Sequence, residues 1–366
     1  MAGRPPEHLP VALGQGECVR ALFGILAEGL ADRFEPALCE VYARLFADLL
    51  PGADLPRYRR VRLPRPVNCE PRKVYVLSRI TLGADIAVTS VLMDAAKQRF
   101  PDASLVFAGP RKNYELFAAD PRVTHSSVDY RKGSLQERIA SAQQLGGMVD
   151  DLVIDPDSRL TQLGLLPVGD ESCYHFFESR GYGGETGDAL PELAAQWAHT
   201  TFGIPAAKPY IAVQSEAADL PADYIAVSLG VGENPAKRLP DPFESELLRL
   251  LGTRLPLLID RGAGGEERAR VERAVEKAGI TPTYWDGSFA GFAAIVRGAR
   301  LYVGYDSAGQ HAAVATGVPL ITIFAGFPAP RMFDRWRPVG PGATVIRCDS
   351  PDPIAALVGV RKALGS

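Results

Sequence analysis

Leu301 to Ala325 reads LYVGYDSAGQHAAVATGVPLITIFA. The first part, with its lead-in from Ala299 (ARLYVGY), is a short apolar run of strand length ending at Asp306. Ser307, Ala308 and Gly309 are small and open a segment of helical spacing from Ala308 to Gly317. A second apolar, β-branched run, PLITIFA, follows from Pro319 to Ala325. Parallel strands buried on both faces read as continuous apolar runs instead of alternating ones, so the stretch predicts a strand–helix–strand unit of a parallel sheet.

The same rhythm extends upstream. YIAVQS (Tyr210 to Ser215), YIAVSLG (Tyr224 to Gly230) and LPLLID (Leu255 to Asp260) read as strands, with helices over Pro242 to Leu251 and Glu266 to Ala278. An earlier series starts at KVYVLSRI (Lys73 to Ile80), turns through TLGAD, and continues as a helix over Ile86 to Phe100 and a strand at Ala103 to Gly109. Helices near Asn113 to Ala119 and at Ser134 to Leu145, a strand at Asp151 to Asp155, and a Gly-rich loop (Gly181 to Gly187) leading into a helix complete it. Two α/β halves of Rossmann-like, doubly wound parallel-sheet type follow, over 71–205 and 206–350, with a closing helix in 351–366. Residues 1–70 differ: Leu22 to Leu30 and Leu38 to Leu50 carry helical spacing, and the Pro-rich LPGADLPRYRRVRLPRPVNCEP suggests an extended linker or strap. The role of this section stays open between a lid, a dimer contact and structural bracing.

Bulk properties narrow the classes. At 366 residues, two domains are expected, since domains run to about 100–200 residues. A hydrophobic fraction of 46% with 23% charged residues is that of a globular protein, and the net charge of −3 speaks against nucleic acid as a partner. The five cysteines are scattered, without metal-site spacing, so no metal ligand set is expected. MAGRPPEHLP lacks an apolar signal segment, and no apolar run approaches the ~18–20 residues that span a bilayer, which reads as cytoplasmic. Peripheral contact with the inner face of a membrane is compatible with this.

Ligands in open α/β sheets sit where strands end and helices begin. Three such crossings carry chemistry. Asp85, at the mouth of the first helix, is either a capping residue or a general base facing a cleft between the halves. The segment VGENPAKRLP brings Gly232 and Lys237 before a helix; Val231, Ala236 and Arg238 depart from a Walker pattern, which disfavours an NTPase. Lys237 remains a point charge for a pyrophosphate. The third, Asp306 to His311, joins small residues to a helix start suited to a diphosphate. No G-x-G-x-x-G follows the first strand, which speaks against a nicotinamide enzyme. Arg111, Lys112, Arg131 and Lys132 read as surface charges.

YVLSRITLGADIAVTSVL, GENPAKRLP and VGYDSAGQHAAVATGVPLITIFAGFPAP, in that order, resemble glycosyltransferase family nine, over roughly residues 72–348. That family contains the bacterial heptosyltransferases, which use ADP-heptose to build lipopolysaccharide core. The resemblance implies a GT-B fold, its two halves facing a cleft, and inverting, metal-independent transfer to a hydroxyl of an acceptor glycan, with no cofactor beyond the nucleotide-sugar donor. It implies Asp85 as base, Lys237 on donor phosphate, and Asp306, Ser307, Ala308, Gly309 and His311 around the diphosphate, with Gly232 in the middle loop. The sequence departs from the family pattern at three points. Ala84 separates Gly83 from Asp85, Leu239 stands where tryptophan is common, and Glu266 is left as the acidic ribose contact after Gly264 and Gly265. A specialised-metabolite acceptor, a relative that epimerises or hydrolyses its nucleotide sugar, and an inert nucleotide-sugar-binding protein are the rival readings.

Overall fold

The apolar runs become parallel strands in both halves of the chain. The computed structural model describes residues 18–128, 134–149, 151–214, 220–232, 234–262 and 264–365. The chain divides into two units, Met1–Pro209 and Tyr210–Ser366. In the first, β1 (Lys73–Leu77), β2 (Ser104–Gly109), β3 (Val123–Ser127), β4 (Leu152–Asp155) and β5 (Tyr174–Phe176) form one sheet in the order β3-β2-β1-β4-β5. All pairings are parallel, with Lys73 opposite Ser104 and Val74 opposite Leu152. The strand order reverses between β1 and β4, the switch point at which such sheets take ligands.

The second unit holds β6 (Ile225–Ser228), β7 (Leu257–Asp260), β8 (Thr283–Trp285), β9 (Leu301–Tyr305), β10 (Leu320–Ala325) and β11 (Ala343–Cys348). They pair in parallel in the order β11-β10-β9-β6-β7-β8, with the reversal between β6 and β9. Counted from its own first strand, each unit therefore has the same strand order, the second carrying one strand more. Helices Phe243–Gly252, Gly265–Ala278 and Pro353–Ala363 bury Leu247, Leu251, Val271, Val275 and Val360 against one face of the second sheet. Phe292 and Val296 of the helix Phe289–Gly298 belong to a separate core with Ala226, Leu258 and Tyr302.

The amino-terminal section is part of the first unit's core. Its helices run over Cys18–Ala21, Leu22–Ala27, Glu28–Ala31, Pro36–Ala47 and Leu55–Val61. Tyr42, Leu45, Phe46 and Tyr58 pack with Tyr75, Leu77, Val153, Tyr174 and Phe176 in one buried cluster. A fully buried side chain of this size contributes about 1.5–3 kcal/mol, so the section stabilises the sheet it covers. The Pro-rich stretch is only partly a strap. Leu55–Val61 is helical, because Pro56 falls in the first turn, where its missing N–H is no loss, and Asp54 accepts the Arg57 amide at 2.8 Å. Beyond it the chain runs extended, pinned by the Val67 amide to the Thr201 carbonyl at 3.0 Å.

Other departures from expectation concern short elements. Residues 210–214 form no strand, and Ser215 lies outside the described residues. YIAVQS has strand composition, but a strand also needs a neighbour to pair with. β3, β5, β8 and β11, with the helix Phe289–Gly298, are present where no element was expected. β5 and β8 are three residues long, too short for any period to register. Arg111 and Lys112 are exposed as expected, and Arg131 and Lys132 lie outside the described residues.

Candidate functional site

In the second unit β9 delivers Tyr305 and Asp306 to the switch point, and the helix Ala308–Thr316 starts immediately beyond. Ser307 occupies the N-cap position with extended backbone, but its side chain caps no amide. The first-turn N–H groups of a helix have no intrahelical acceptor, so these amides and the dipole are left for an anion. Small residues at 308 and 309 keep that end uncovered.

Behind it lies a buried polar network. Lys237 Nζ donates to Asp306 Oδ2 at 2.6 Å and to the Asp306 carbonyl at 3.2 Å. Gln310 Nε2 donates to Asp306 Oδ1 at 2.5 Å and to the Trp336 carbonyl at 3.2 Å, while Thr322 Oγ1 donates to Gln310 Oε1 at 2.8 Å. His311 is buried edge-on to Trp336, 5.9 Å between centroids. Burial is the main cause that lowers its pKa to about 4, so it is neutral at physiological pH. Lys237 ends a short 3-10 turn, Pro235–Lys237, started by Asn234 accepting the Ala236 amide at 3.0 Å. The turn lies directly on Gly326, where a Cβ would fall 2.2 Å from the Ala236 carbonyl oxygen at a φ of +66°. Lys237, Asp306, Ser307, Ala308, Gly309 and His311 thus lie in one cluster. Gln310, Thr322, Trp336 and Gly326 belong to it as well; a pair such as Thr322–Gln310 joins a strand interior to a helix and has no local sequence signature.

Two further expectations concern the neighbouring loops. Gly232 has a φ of +62° with open space where a Cβ would stand, so it serves the bend of the middle loop. Glu266, in the first turn of Gly265–Ala278, is exposed. Its neighbour Glu267 is the one whose carboxylate lies at the ends of β6 and β7: Cβ atoms on Gly230 and Gly262 would meet it at 2.6 and 2.4 Å. The helix rotation of about 100° per residue decides which of two adjacent glutamates faces the strands. Leu239, in the place of a common tryptophan, is buried and donates its amide to the Tyr305 hydroxyl at 3.2 Å.

Asp85, in the first unit, is fully buried inside the helical run Leu82–Ala84 and Asp85–Thr89. Oδ2 accepts from Ser78 Oγ and Asn113 Nδ2, each at 2.6 Å; Oδ1 accepts from the Arg79 amide at 2.7 Å and Thr89 Oγ1 at 2.6 Å. Burial raises its pKa against the opposing pull of these bonds. The carboxylate is not an N-cap, and all four hydrogen bonds it accepts come from within the first unit. It fastens the end of β1 to the segment after β2. Ile80, within that loop, has a φ of +76°, a strained value for a β-branched residue that the surrounding bonds hold in place.

The neighbouring loops after β4 and β5 are closed in the same way. Arg180 Nε meets Asp157 Oδ2 at 3.0 Å, Arg79 Nη1 donates to Ser179 Oγ at 2.5 Å, and Ser158 Oγ donates to the Ser78 carbonyl at 2.6 Å. The amino-terminal helices join in: Tyr58 donates to Glu178, Arg62 pairs with it at 2.7 Å, and the Arg180 guanidinium lies over the Tyr42 ring. Of the three possibilities for this section, bracing is what these contacts perform.

All five cysteines are free thiols. Among the described residues no three His, Cys, Asp or Glu side chains gather where they could hold a metal ion, and no helix is long and apolar enough to cross a membrane.

Comparison with known proteins adds likeness to geometry. Residues 187–354, which contain β6 to β11, match the model of glycosyltransferase family 9 (heptosyltransferase). Among curated proteins no sequence match is found. Among solved structures, E. coli heptosyltransferase WaaC with ADP-2-deoxy-2-fluoro heptose is similar at a TM-score of 0.57 and 18% identity, over 80% of this chain and 99% of that one. E. coli ADP-heptose lps heptosyltransferase II gives 0.57 and 17%, over 80% and 98%. A glycosyl transferase family 9 structure from Veillonella parvula DSM 2008 gives 0.56 and 14%, over 81% and 89%. These likenesses carry the fold, GT-B with two Rossmann-like units, and the family match concerns residues 187–354. Over residues 187–354 the chain thus carries a stretch that matches glycosyltransferase family 9 (heptosyltransferase), on a fold similar to that of solved heptosyltransferases.

Proposed function

We propose that this glycosyltransferase moves a sugar of heptose type from a nucleoside-diphosphate donor such as ADP-heptose to a hydroxyl of a glycan or lipopolysaccharide-core acceptor, with inversion and without a metal. The observation that carries the reading is the uncapped start of Ala308–Thr316, with Ser307 extended and Lys237 held beside it by Asp306. Departure of the nucleotide leaves negative charge on its diphosphate. Backbone amides at the helix start and the Lys237 ammonium meet that charge where water is largely excluded, which is where such donors act most strongly. Asp306 keeps the ammonium in place, and neutral His311 adds no charge of its own. The lie of Glu267 beside Gly230 and Gly262 supports it, ahead of the exposed Glu266, as the carboxylate that accepts from donor hydroxyls. The resemblance makes Asp85 the base for the acceptor proton; as folded here its lone pairs are taken, so that role requires the Ser78 and Thr89 hydroxyls to rotate away from it. E. coli WaaC was solved with ADP and with an ADP-heptose analogue, which makes adenine nucleotides the first to try.

The test is a thermal-shift screen over nucleoside diphosphates and their sugars, followed by transfer assays with and without EDTA. A ligand at 100 times its Kd stabilises the fold by about 2.7 kcal/mol, a readily measured shift. The reading expects at least one nucleoside diphosphate to shift the transition and transfer to survive EDTA. No shift with any of them overturns the donor, and loss of transfer in EDTA restored by Mg²⁺ overturns metal independence.

A further inference from the structure

Tyr302 belongs to β9, and its side chain runs beneath the first turn of Ala308–Thr316. Two glycines make room for it. A Cβ on Gly304 would fall 2.4 Å from the phenol oxygen, and one on Gly309 would fall 2.2 Å from it. No side chain larger than hydrogen fits at either place while the ring is there, so Gly309 serves the tyrosine as well as the open helix start. The ring is fully buried. Its hydroxyl lies beside those of Ser228 and Ser307, and burial keeps it protonated by raising its pKa, so it can act only as a neutral hydroxyl. No hydrogen bond of ordinary geometry satisfies that hydroxyl among the described residues.

A buried polar group without a partner costs free energy, and in a native protein it calls for a reason. Phenylalanine would fill the same space without that cost. Independently, Ser307 stands at an N-cap position, the place where serine usually bonds an amide of the first turn, and does not do so. The two hydroxyls are neighbours, and both adjoin the helix start.

We propose that Tyr302 is a positioning residue for the donor's diphosphate: once the diphosphate is bound, its O–H donates to Ser307 Oγ and so directs the Ser307 proton to a phosphate oxygen at the helix start. A serine hydroxyl has one proton and two lone pairs. A donor from below occupies one lone pair and leaves the proton to point outward, instead of leaving the rotor unoriented. This rests on the reading that the helix start takes a diphosphate.

Calorimetry with ADP, and with inorganic pyrophosphate as a probe independent of the base, tests it on Tyr302→Phe, Ser307→Ala and the double variant of the full chain. The expected result is a five- to tenfold weaker Kd for both probes in Tyr302→Phe, an equal or larger loss in Ser307→Ala, and no further loss in the double variant. Without ligand, Tyr302→Phe melts at or above the temperature of the parent protein. Unchanged affinity in Tyr302→Phe, losses that simply add, or a lowered unliganded melting temperature each overturn the proposal, the last by making the hydroxyl structural. If neither probe binds the parent protein, the diphosphate reading itself has failed and this inference with it; if the parent binds and Tyr302→Phe binds equally, only the inference has failed.

Discussion

Asp85 and Ser307 both follow strands that flank a switch point, each in its own unit, yet the polar groups around them have opposite fates. Every donor near Asp85 is used: Ser78, Arg79, Thr89 and Asn113 all end on its two oxygens. Around Ser307 the arrangement is left open, with a serine that does not cap and a tyrosine hydroxyl without a partner. A closed network holds a backbone shape, and an open one is completed by a ligand. The Asp85 network is complete within its own unit, whereas the Ser307 position keeps an uncapped helix start for the diphosphate proposed above.

The largest test of this contrast is Asp85→Ala. Removing the carboxylate strands four donors in a buried place, and at about 1–3 kcal/mol for each group left unpaired the first unit should lose several kcal/mol, read by chemical denaturation. A variant that melts like the parent but has lost only turnover would show that Asp85 is the base and that its network is not structural. Next in size is the acid response of His311. An unfolded histidine takes up its proton near pH 6.5, whereas this one stays neutral until about pH 4. The stability it contributes is fully present above pH 6.5 and is lost as the pH falls toward 4, up to about 3 kcal/mol by linkage. His175 is lowered over the same window by burial, so the measurement is the difference in pH slope between the parent and His311→Gln. Equal slopes contradict the burial argument.

Smaller effects sharpen the second unit. Lys237→Ala should weaken nucleoside-diphosphate binding about ten- to hundredfold, the size of a hydrogen bond to a charged group, and an unaltered dissociation constant removes the lysine from the site. The adjacent glutamates give the finest discrimination. Glu267→Ala is expected to change donor affinity several-fold and Glu266→Ala less than twofold; the reverse order would place the ribose contact on the exposed residue.

Much of this was readable from residue order, for a physical reason. KVYVL, SLVFAG and LITIFA are continuous apolar runs because a central parallel strand is covered on both faces, and Gly and Ser at 307–309 mark a helix start that a ligand can approach. YIAVQS misled because apolar composition describes a strand's environment and not its partner. Leu55–Val61 was hidden because proline was read as a breaker where it is a first-turn residue. β3, VTHSS, shows little of a strand's apolar pattern.

What the sequence by itself determined is the alternation of elements, the resemblance to a glycosyltransferase family, and the grouping of Lys237, Asp306, Ser307 and His311, because each depends on local pattern or on a motif of contiguous residues. Tertiary structure alone decided the direction of each polar group. It buried Asp85 among four donors, set Glu267 beside Gly230 and Gly262, laid the Pro235–Lys237 turn on Gly326, and slid Tyr302 beneath Gly309. Those outcomes depend on hydrogen bonds and close approaches between segments far apart in the chain, and a linear pattern carries no information about which donor will reach which acceptor.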